Sequence, residues 1–131
     1  MTEFFPDVEP IRFAGPDATD EMVFRRYERD RMVDDKPMCE HLRFASAYWH
    51  TMRNPLSDPF GVGTAQMPWD DGSDSIDNAC RRARAFFEFL EKCGIDHYCF
   101  HDRDVAPEGD GVVASERNLD AVVEVLAEEQ A

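Results

Sequence analysis

Apolar positions in this chain fall into three stretches of helical spacing, separated by stretches with no period. Over 37–52, Met38, Leu42, Ala45, Trp49 and Met52 recur at intervals of three and four residues, which predicts a helix with one apolar stripe. Phe44 and Tyr48 add a second, partial stripe, so this helix is expected to lie buried between neighbours. Pro37 suits its first turn, and Asp35 stands just upstream as a cap. Over 75–93, Ile76, Ala79, Cys80, Ala83, Phe86, Phe87, Leu90 and Cys93 mark an apolar face, and Arg81, Arg82, Arg84, Glu88 and Glu91 the wet one. Ser73 or Asp74 can cap this second helix, and Gly94 stands where a left-handed residue ends it. Ser115 caps a third helix, with Leu119, Val122, Val123 and Leu126 as its stripe.

One segment reads as a strand. Residues 95–101, Ile-Asp-His-Tyr-Cys-Phe-His, follow Gly94 at short-loop distance and carry strand-favouring Ile, Tyr and Phe. A helix, a tight turn and a strand form the αβ half of a parallel α/β unit. Residues 102–114 then form a charged loop. The third helix should return to another parallel strand, and a lone strand cannot satisfy its own backbone. The expectation is therefore a partial α/β architecture rather than a small protein that finishes on a helix.

The remaining stretches lack period. Residues 1–36 are punctuated by Pro6, Pro10, Gly15 and Pro16 and read as an irregular arm, with one short strand near Ile11–Phe13. Such an arm orders only against something else, here expected to be a larger body or another subunit. Residues 53–74 form a loop rich in Pro, Gly and Asp, with Phe60 and Trp69 embedded in it. The organisation expected is an arm over 1–36 and helical and βα units over 37–131.

Charge narrows the partners. The chain has 131 residues, 28 acidic against 14 basic, for a net charge of -14. Such a surface repels phosphate backbones and anionic lipid, which argues against nucleic acid and membrane surfaces as partners. Cations and neutral ligands remain. Only Lys36 and Lys92 are lysines; an acid-rich, lysine-poor surface suits a high-salt cytoplasm, where screening relieves self-repulsion. The opening MTEFFPDVEP shows neither the basic nor the apolar region of a signal peptide. Cys39, Cys80, Cys93 and Cys99 show no C-x-x-C spacing, so reduced thiols in a cytoplasmic location are expected.

The densest polar cluster is His101-Asp102-Arg103-Asp104, beginning at the last residue of the strand. In α/β architectures ligands bind beyond the carboxyl ends of strands. A carboxylate three residues after a histidine can turn back onto the ring, fix its tautomer and favour the imidazolium. Such a pair can move a proton to or from a hydroxyl; the competing reading is a ring satisfied only by a local turn. His97, Cys99 and His101 share a strand face but span about 13 Å at ~3.3 Å per residue, too wide for one ion. Trp49 belongs to an apolar stripe, which favours core packing. Phe60, in Asp58-Pro59-Phe60-Gly61, has no element to account for it and reads as an anchor in another subunit or a wall of a site. Asp70, Asp71 and Asp74 read as turn and cap formers. There is no G-x-G-x-x-G, P-loop or G-x-S-x-G, so nucleotide binding and serine hydrolysis have no support.

Several ordered segments resemble xylose isomerase in its longer, class II form. They include Phe4-Phe5-Pro6, Glu40-His41-Leu42-Arg43-Phe44-Ala45, Ala47-Tyr48-Trp49-His50-Thr51 and Asp58-Pro59-Phe60-Gly61. Pro68-Trp69-Asp70-Asp71-Gly72, Tyr98-Cys99-Phe100-His101-Asp102-Arg103-Asp104, Ala106-Pro107-Glu108-Gly109-Asp110 and Asn118-Leu119-Asp120 continue the series. The resemblance implies an α/β fold, the amino-terminal part of a (β/α)₈ TIM barrel preceded by the arm, incomplete in this chain. It implies a homotetrameric aldose–ketose isomerase that interconverts D-xylose and D-xylulose, with D-glucose and D-fructose as secondary substrates. Two divalent cations, Mg²⁺, Mn²⁺ or Co²⁺, would assist a 1,2-hydride shift. By the same resemblance His101 binds the sugar ring oxygen and assists ring opening, and Asp104 orients it. Trp49 is a wall of the sugar pocket, and Phe60 enters the neighbouring subunit's site. The metal ligands and the catalytic lysine come from later barrel strands, so no metal ligand is expected in this chain, and the chain alone is expected to be inactive. The alternatives are a truncated product or partial subunit that only associates with full-length barrels, and a different sugar-phosphate or endonuclease barrel. The absence of a basic phosphate site weakens the last.

Overall fold

A strand stands where the apolar spacing over 37–52 predicts helix, and it organises the rest of the chain. The structure, a computed structural model, describes residues 3–131; residues 1 and 2 of the expected arm lie outside the described residues. In order, the elements are β1 (Met32–Val33), β2 (Lys36–Pro37), α1 (Met38–His41), β3 (Ala45–Ala47) and α2 (Tyr48–Met52). They are followed by α3 (Ile76–Cys93), β4 (His97–Cys99), α4 (Asp102–Val105) and α5 (Val112–Gln130).

β3 pairs in parallel with β4, Ala45 opposite His97, Ser46 opposite Tyr98 and Ala47 opposite Cys99. The expected 37–52 helix is thus corrected to two short helices flanking a strand. Leu42 leaves helical backbone at φ -116°, ψ 86°, and Ala45–Ala47 extends because β4 needs a partner for its backbone groups. That need is non-local and outweighs the local helical spacing. β1 and β2 form an antiparallel hairpin, turning through Asp34 at φ 55°, a left-handed conformation that Asp tolerates.

α3 follows its periodicity closely. Ser75, rather than Ser73 or Asp74, caps it: the Ser75 hydroxyl accepts from the Asn78 backbone N–H at 3.1 Å. Gly94 ends it at φ 65°, with the Ile95 N–H donating back to the Leu90 carbonyl at 2.9 Å. α5 begins at Val112, four residues earlier than a Ser115 cap predicts. The Ser115 hydroxyl instead accepts the Gly109 N–H at 3.0 Å and so ties down the preceding loop. Val125 rather than Val123 faces the core on α5. α4, within the segment expected to be loop, is a single turn.

α3 packs against α5, and both cover one face of the β3–β4 pair. Tyr48, Met52, Phe86, Leu90, Val105, Val122 and Leu126 form the centre of the core. Burying one such large side chain stabilises the fold by roughly 1.5–3 kcal/mol. Along β4, Tyr98 points into this core against Phe86 and Phe87, with ring centroids 5.7 and 5.3 Å away. By the two-residue alternation of strands, His97 and Cys99 point to the opposite, open face, and both are exposed.

The arm finds its support within the chain. The Phe4 and Phe5 N–H groups donate to the Glu88 carboxylate at 2.8 and 2.7 Å. The Phe5 ring packs on Trp69 and Phe89, and the Ile11 N–H donates to the Lys92 carbonyl at 2.7 Å. A further tie is the two-pronged pair of Arg29 with Asp96, at 3.0 and 2.7 Å. No strand forms at Ile11–Phe13; Phe13 makes only an isolated parallel bridge with Phe24. No helix among the described residues is long and apolar enough to cross a membrane.

Candidate active site

β4 ends at Cys99, and two residues later His101 becomes the N-terminal cap of α4, where the chain turns from strand to helix. The turn closes on itself. The Asp104 N–H donates to the His101 carbonyl at 3.0 Å, and the His101 N–H donates to Asp104 Oδ2 at 2.9 Å. A carboxylate at the third position reaching back to the cap residue is a local stabiliser of a helix start. Val105 and Ala106, both buried, pin α4 to the core. Asn118 Nδ2 on α5 donates to the Pro107 carbonyl at 3.1 Å and holds the loop beyond.

The same Asp104 Oδ2 lies 2.8 Å from His101 Nδ1. An ionised carboxylate can only accept, so Nδ1 carries the proton and donates. In the neutral ring Nε2 then holds the lone pair and is the nitrogen free to receive a proton. Among the described residues Nε2 makes no hydrogen bond, and the His101 side chain is 66% exposed against 18% for Asp104. The imidazole is therefore oriented from behind by a shielded carboxylate and open to a ligand in front.

Trp49, on α2, meets the same ring. Its indole lies 4.4 Å from the imidazole, centroid to centroid, at 38°. α2 and α4 both follow strands of the β3–β4 pair, so their first turns emerge side by side at the carboxyl end of the sheet. Trp49 is only half-buried, which departs from the core packing its apolar stripe suggests; Tyr48 and Met52 take the buried positions instead.

The structure thus brings His101, Asp104 and Trp49 together and leaves Phe60 apart. Phe60 is 97% exposed, on a turn in which Asp58 and Gly61 exchange backbone hydrogen bonds at 3.2 and 3.3 Å. Asp58 Oδ1 accepts the Phe60 N–H at 2.8 Å. The ring projects outward from a stiff turn. Among the described residues no three His, Cys, Asp or Glu side chains are placed to hold a metal ion together, and the four cysteines are free thiols.

Sequence reasoning missed the support behind the site. Arg82, assigned to the wet face, is 3% exposed, and its guanidinium pairs with Asp70 Oδ2 at 3.1 Å. Asp70 Oδ1 accepts from Asn78 Nδ2 at 2.8 Å and from the Gly72 N–H at 2.9 Å. Burial alone would raise the Asp70 carboxyl; the Asn78, Gly72 and Arg82 interactions together outweigh it and hold the group below its ordinary value. The signal was present in the sequence: residue 82 lies four before Phe86, on the apolar side of α3.

No family model matches the chain. Individual relatives do. The xylose isomerase of Rhodopirellula baltica is 48% identical over 126 residues, 96% of this chain and 29% of the relative. That of Thermotoga maritima is 47% identical over 124 residues, 95% of this chain and 28% of the relative. That of Arabidopsis thaliana is 44% identical over 128 residues, 98% of this chain and 27% of the relative. The chain spans less than a third of the length of these curated relatives. Over the segment they share, from the arm to the last helix, this chain is similar to xylose isomerases.

Proposed function

We propose that this chain supplies the sugar-opening site of an aldose–ketose isomerase that interconverts D-xylose and D-xylulose, with D-glucose and D-fructose as secondary substrates. The observation that carries this reading is the imidazole of His101, held by Asp104 at 2.8 Å and flanked by Trp49 at 4.4 Å. An imidazole fixed through Nδ1 presents Nε2 to a hydroxyl as a base. A flat indole beside it suits the apolar C–H face of a neutral sugar. An acidic protein is no obstacle to an uncharged substrate.

In this reading neutral Nε2 takes the proton of the anomeric hydroxyl as the C1–O bond to the ring oxygen breaks. The C1 carbonyl forms, and the imidazolium returns the proton to the former ring oxygen. Asp104 stabilises the imidazolium between the two transfers, and no net proton is gained or lost. Trp49 holds the sugar against the ring, and Phe60 reaches the equivalent site of a neighbouring subunit in a homotetramer. We read residues 1–36 as an arm and 37–131 as the first units of a (β/α)₈ barrel whose amino-terminal part this chain represents. The exposed face of the β3–β4 pair, with His97 and Cys99 on it, would turn inward in such a barrel. Four free thiols suit a reducing cytoplasm.

The two divalent cations implied by the family do not fit the described residues, which form no ligand set. In a complete enzyme their ligands would come from outside this chain.

The reading is tested by grafting this chain in place of the matching segment of the Thermotoga maritima enzyme. The graft is expected to convert xylose, and His101→Asn in it to lower kcat by roughly 10²–10³-fold with metal affinity unchanged. A collapse of metal affinity in that variant would give His101 a different role. The isolated chain, supplied with xylose and Mg²⁺ or Mn²⁺, is expected to form no xylulose.

A further inference from the structure

Trp69 lies in the irregular stretch between α2 and α3, yet it is only 8% exposed. Its mount is built from α3. Arg81 Nη2 donates to the Pro68 carbonyl at 2.9 Å, and Arg82 Nη2 pairs with Asp70 Oδ2 at 3.1 Å. The residues on either side of the indole are thus fastened to one helix. The arm adds a further grip: the Phe5 ring packs on the indole at 5.5 Å, and the Phe5 N–H is held by the Glu88 carboxylate at 2.7 Å. A loop residue gripped from both flanks and by the arm behaves as part of the scaffold.

What this mount holds is the end of α2. Trp69 Nε1 donates to the Met52 carbonyl at 3.5 Å. Met52 is the last residue of a five-residue helix, far shorter than the ~12–15 residues an isolated helix needs. The final carbonyls of a helix have no partner within it, and the indole N–H supplies one from outside. Tyr48 and Met52, four residues apart, bury one side of α2. Trp49 leaves the helix roughly 100° round from Tyr48 and meets the His101 ring at 4.4 Å. A small turn of α2 about its axis would carry Trp49 off the imidazole, and the bond at Met52 resists that turn. Every link in this series is a contact: Glu88 to Phe5, Phe5 to Trp69, Trp69 to Met52, and α2 to the Trp49–His101 pair.

We propose that Trp69, backed by Phe5 of the arm, is a positioning residue for Trp49. Its indole N–H fixes the carboxyl end of α2 and keeps the Trp49 ring seated against the imidazole of His101. The two tryptophans then differ in kind: Trp49 faces the ligand, and Trp69 acts only through α2. A buried indole N–H needs some acceptor, and core filling would be served by any; here the acceptor is the helix that carries Trp49. The inference rests on reading Trp49 as a wall of the sugar site, but its test reads geometry rather than turnover.

The test is the position of the His101 ring-proton signals in the NMR spectrum of the 131-residue chain, at one pH above the histidine titration range. A proton lying over an aromatic face is displaced upfield, so these signals report how much of the time Trp49 is seated. Trp49→Leu sets the position without an indole. Trp69→Phe keeps a ring against Phe5 and removes the N–H donor. It is expected to lower the ratio of seated to unseated Trp49 roughly two- to threefold, the worth of one long hydrogen bond. The His101 signals should move accordingly toward the Trp49→Leu position. Phe5→Ala takes away the support of the arm and should move them the same way; it also serves if Trp69→Phe does not fold. His41 and His97 lie outside the Trp49–His101 stack and should not move, which controls for general loosening. His101 signals unmoved in the folded variants would reduce Trp69 to core packing and overturn the proposal. Unmoved signals together with a raised KM for xylose in a Trp49→Ala graft would leave the sugar wall standing and sink this inference alone. Moved signals with KM unchanged in that graft would do the reverse.

Discussion

Trp49 stands where two demands meet. Its indole covers one side of the imidazole of His101, and its exposed remainder is a flat apolar surface open to a ligand. On the proposed reading, truncating it removes a sugar wall and a support of the ring at once. In the graft described above, Trp49→Ala is expected to raise KM for xylose by up to about tenfold, the scale of one aromatic contact. Trp49→Phe should recover most of that. If both left KM unchanged, Trp49 would be a core residue that happens to lie near the site. Which residues reach the site was only partly legible. The His101–Asp104 spacing sufficed for that pair, because a carboxylate three residues on must fold back locally. Arg82 was masked by the run Arg81-Arg82-Arg84: its place one turn before Phe86 marks the apolar side, but its charge assigns it to the wet face. Only its pairing with Asp70, twelve residues away across a loop, makes that burial tolerable.

At the scale of elements, what could be read depended on whether an element is stabilised locally. α3 has a continuous apolar face, a hydroxyl cap and a glycine stop, and its limits fall within a residue of those expected. β3 is Ala-Ser-Ala, three small residues with no strand preference inside a helical pattern, and exists because β4 lies beside it. α4 exists because His101 and Asp104 close one turn around each other. These differences make distinct stability predictions. Gly94→Ala places a side chain at φ 65° and should cost about 1 kcal/mol. Ser75→Ala removes the hydroxyl that accepts the Asn78 N–H at the head of α3 and should cost about 1 kcal/mol. Denaturant unfolding would show both as a lower midpoint with an unchanged slope. A cost well below this for Ser75→Ala would mean that Ser73 or Asp74 takes over the cap.

At the scale of the whole molecule, two electrostatic effects oppose each other as pH falls. The net charge of -14 at pH 7 repels itself, and neutralising carboxylates on the way to the isoelectric point near 4.5 relieves that. Asp70 works in the other direction. Its folded-state value lies below the ordinary 3.8, so its contribution is complete above that value and disappears as pH falls through the lower, folded one. Asp71, held down mainly by Ser73, has the same sign but is fully exposed. The melting temperature should therefore rise from pH 7 toward about 4.5 and fall steeply below about 4. Added salt should raise it at pH 7, where screening relieves repulsion, and leave it nearly unchanged at the isoelectric point. Asp70→Asn separates the two effects. It leaves the Arg82 guanidinium buried without its counter-charge, and should cost about 3 kcal/mol at pH 7. The fall below pH 4 should become shallower, because the group that titrates there is gone. The pH 7 salt response should persist, since it belongs to the surface as a whole. A variant that lost the salt response and kept the steep acid fall would place the acid sensitivity in other carboxylates and make the Asp70–Arg82 pair incidental to stability.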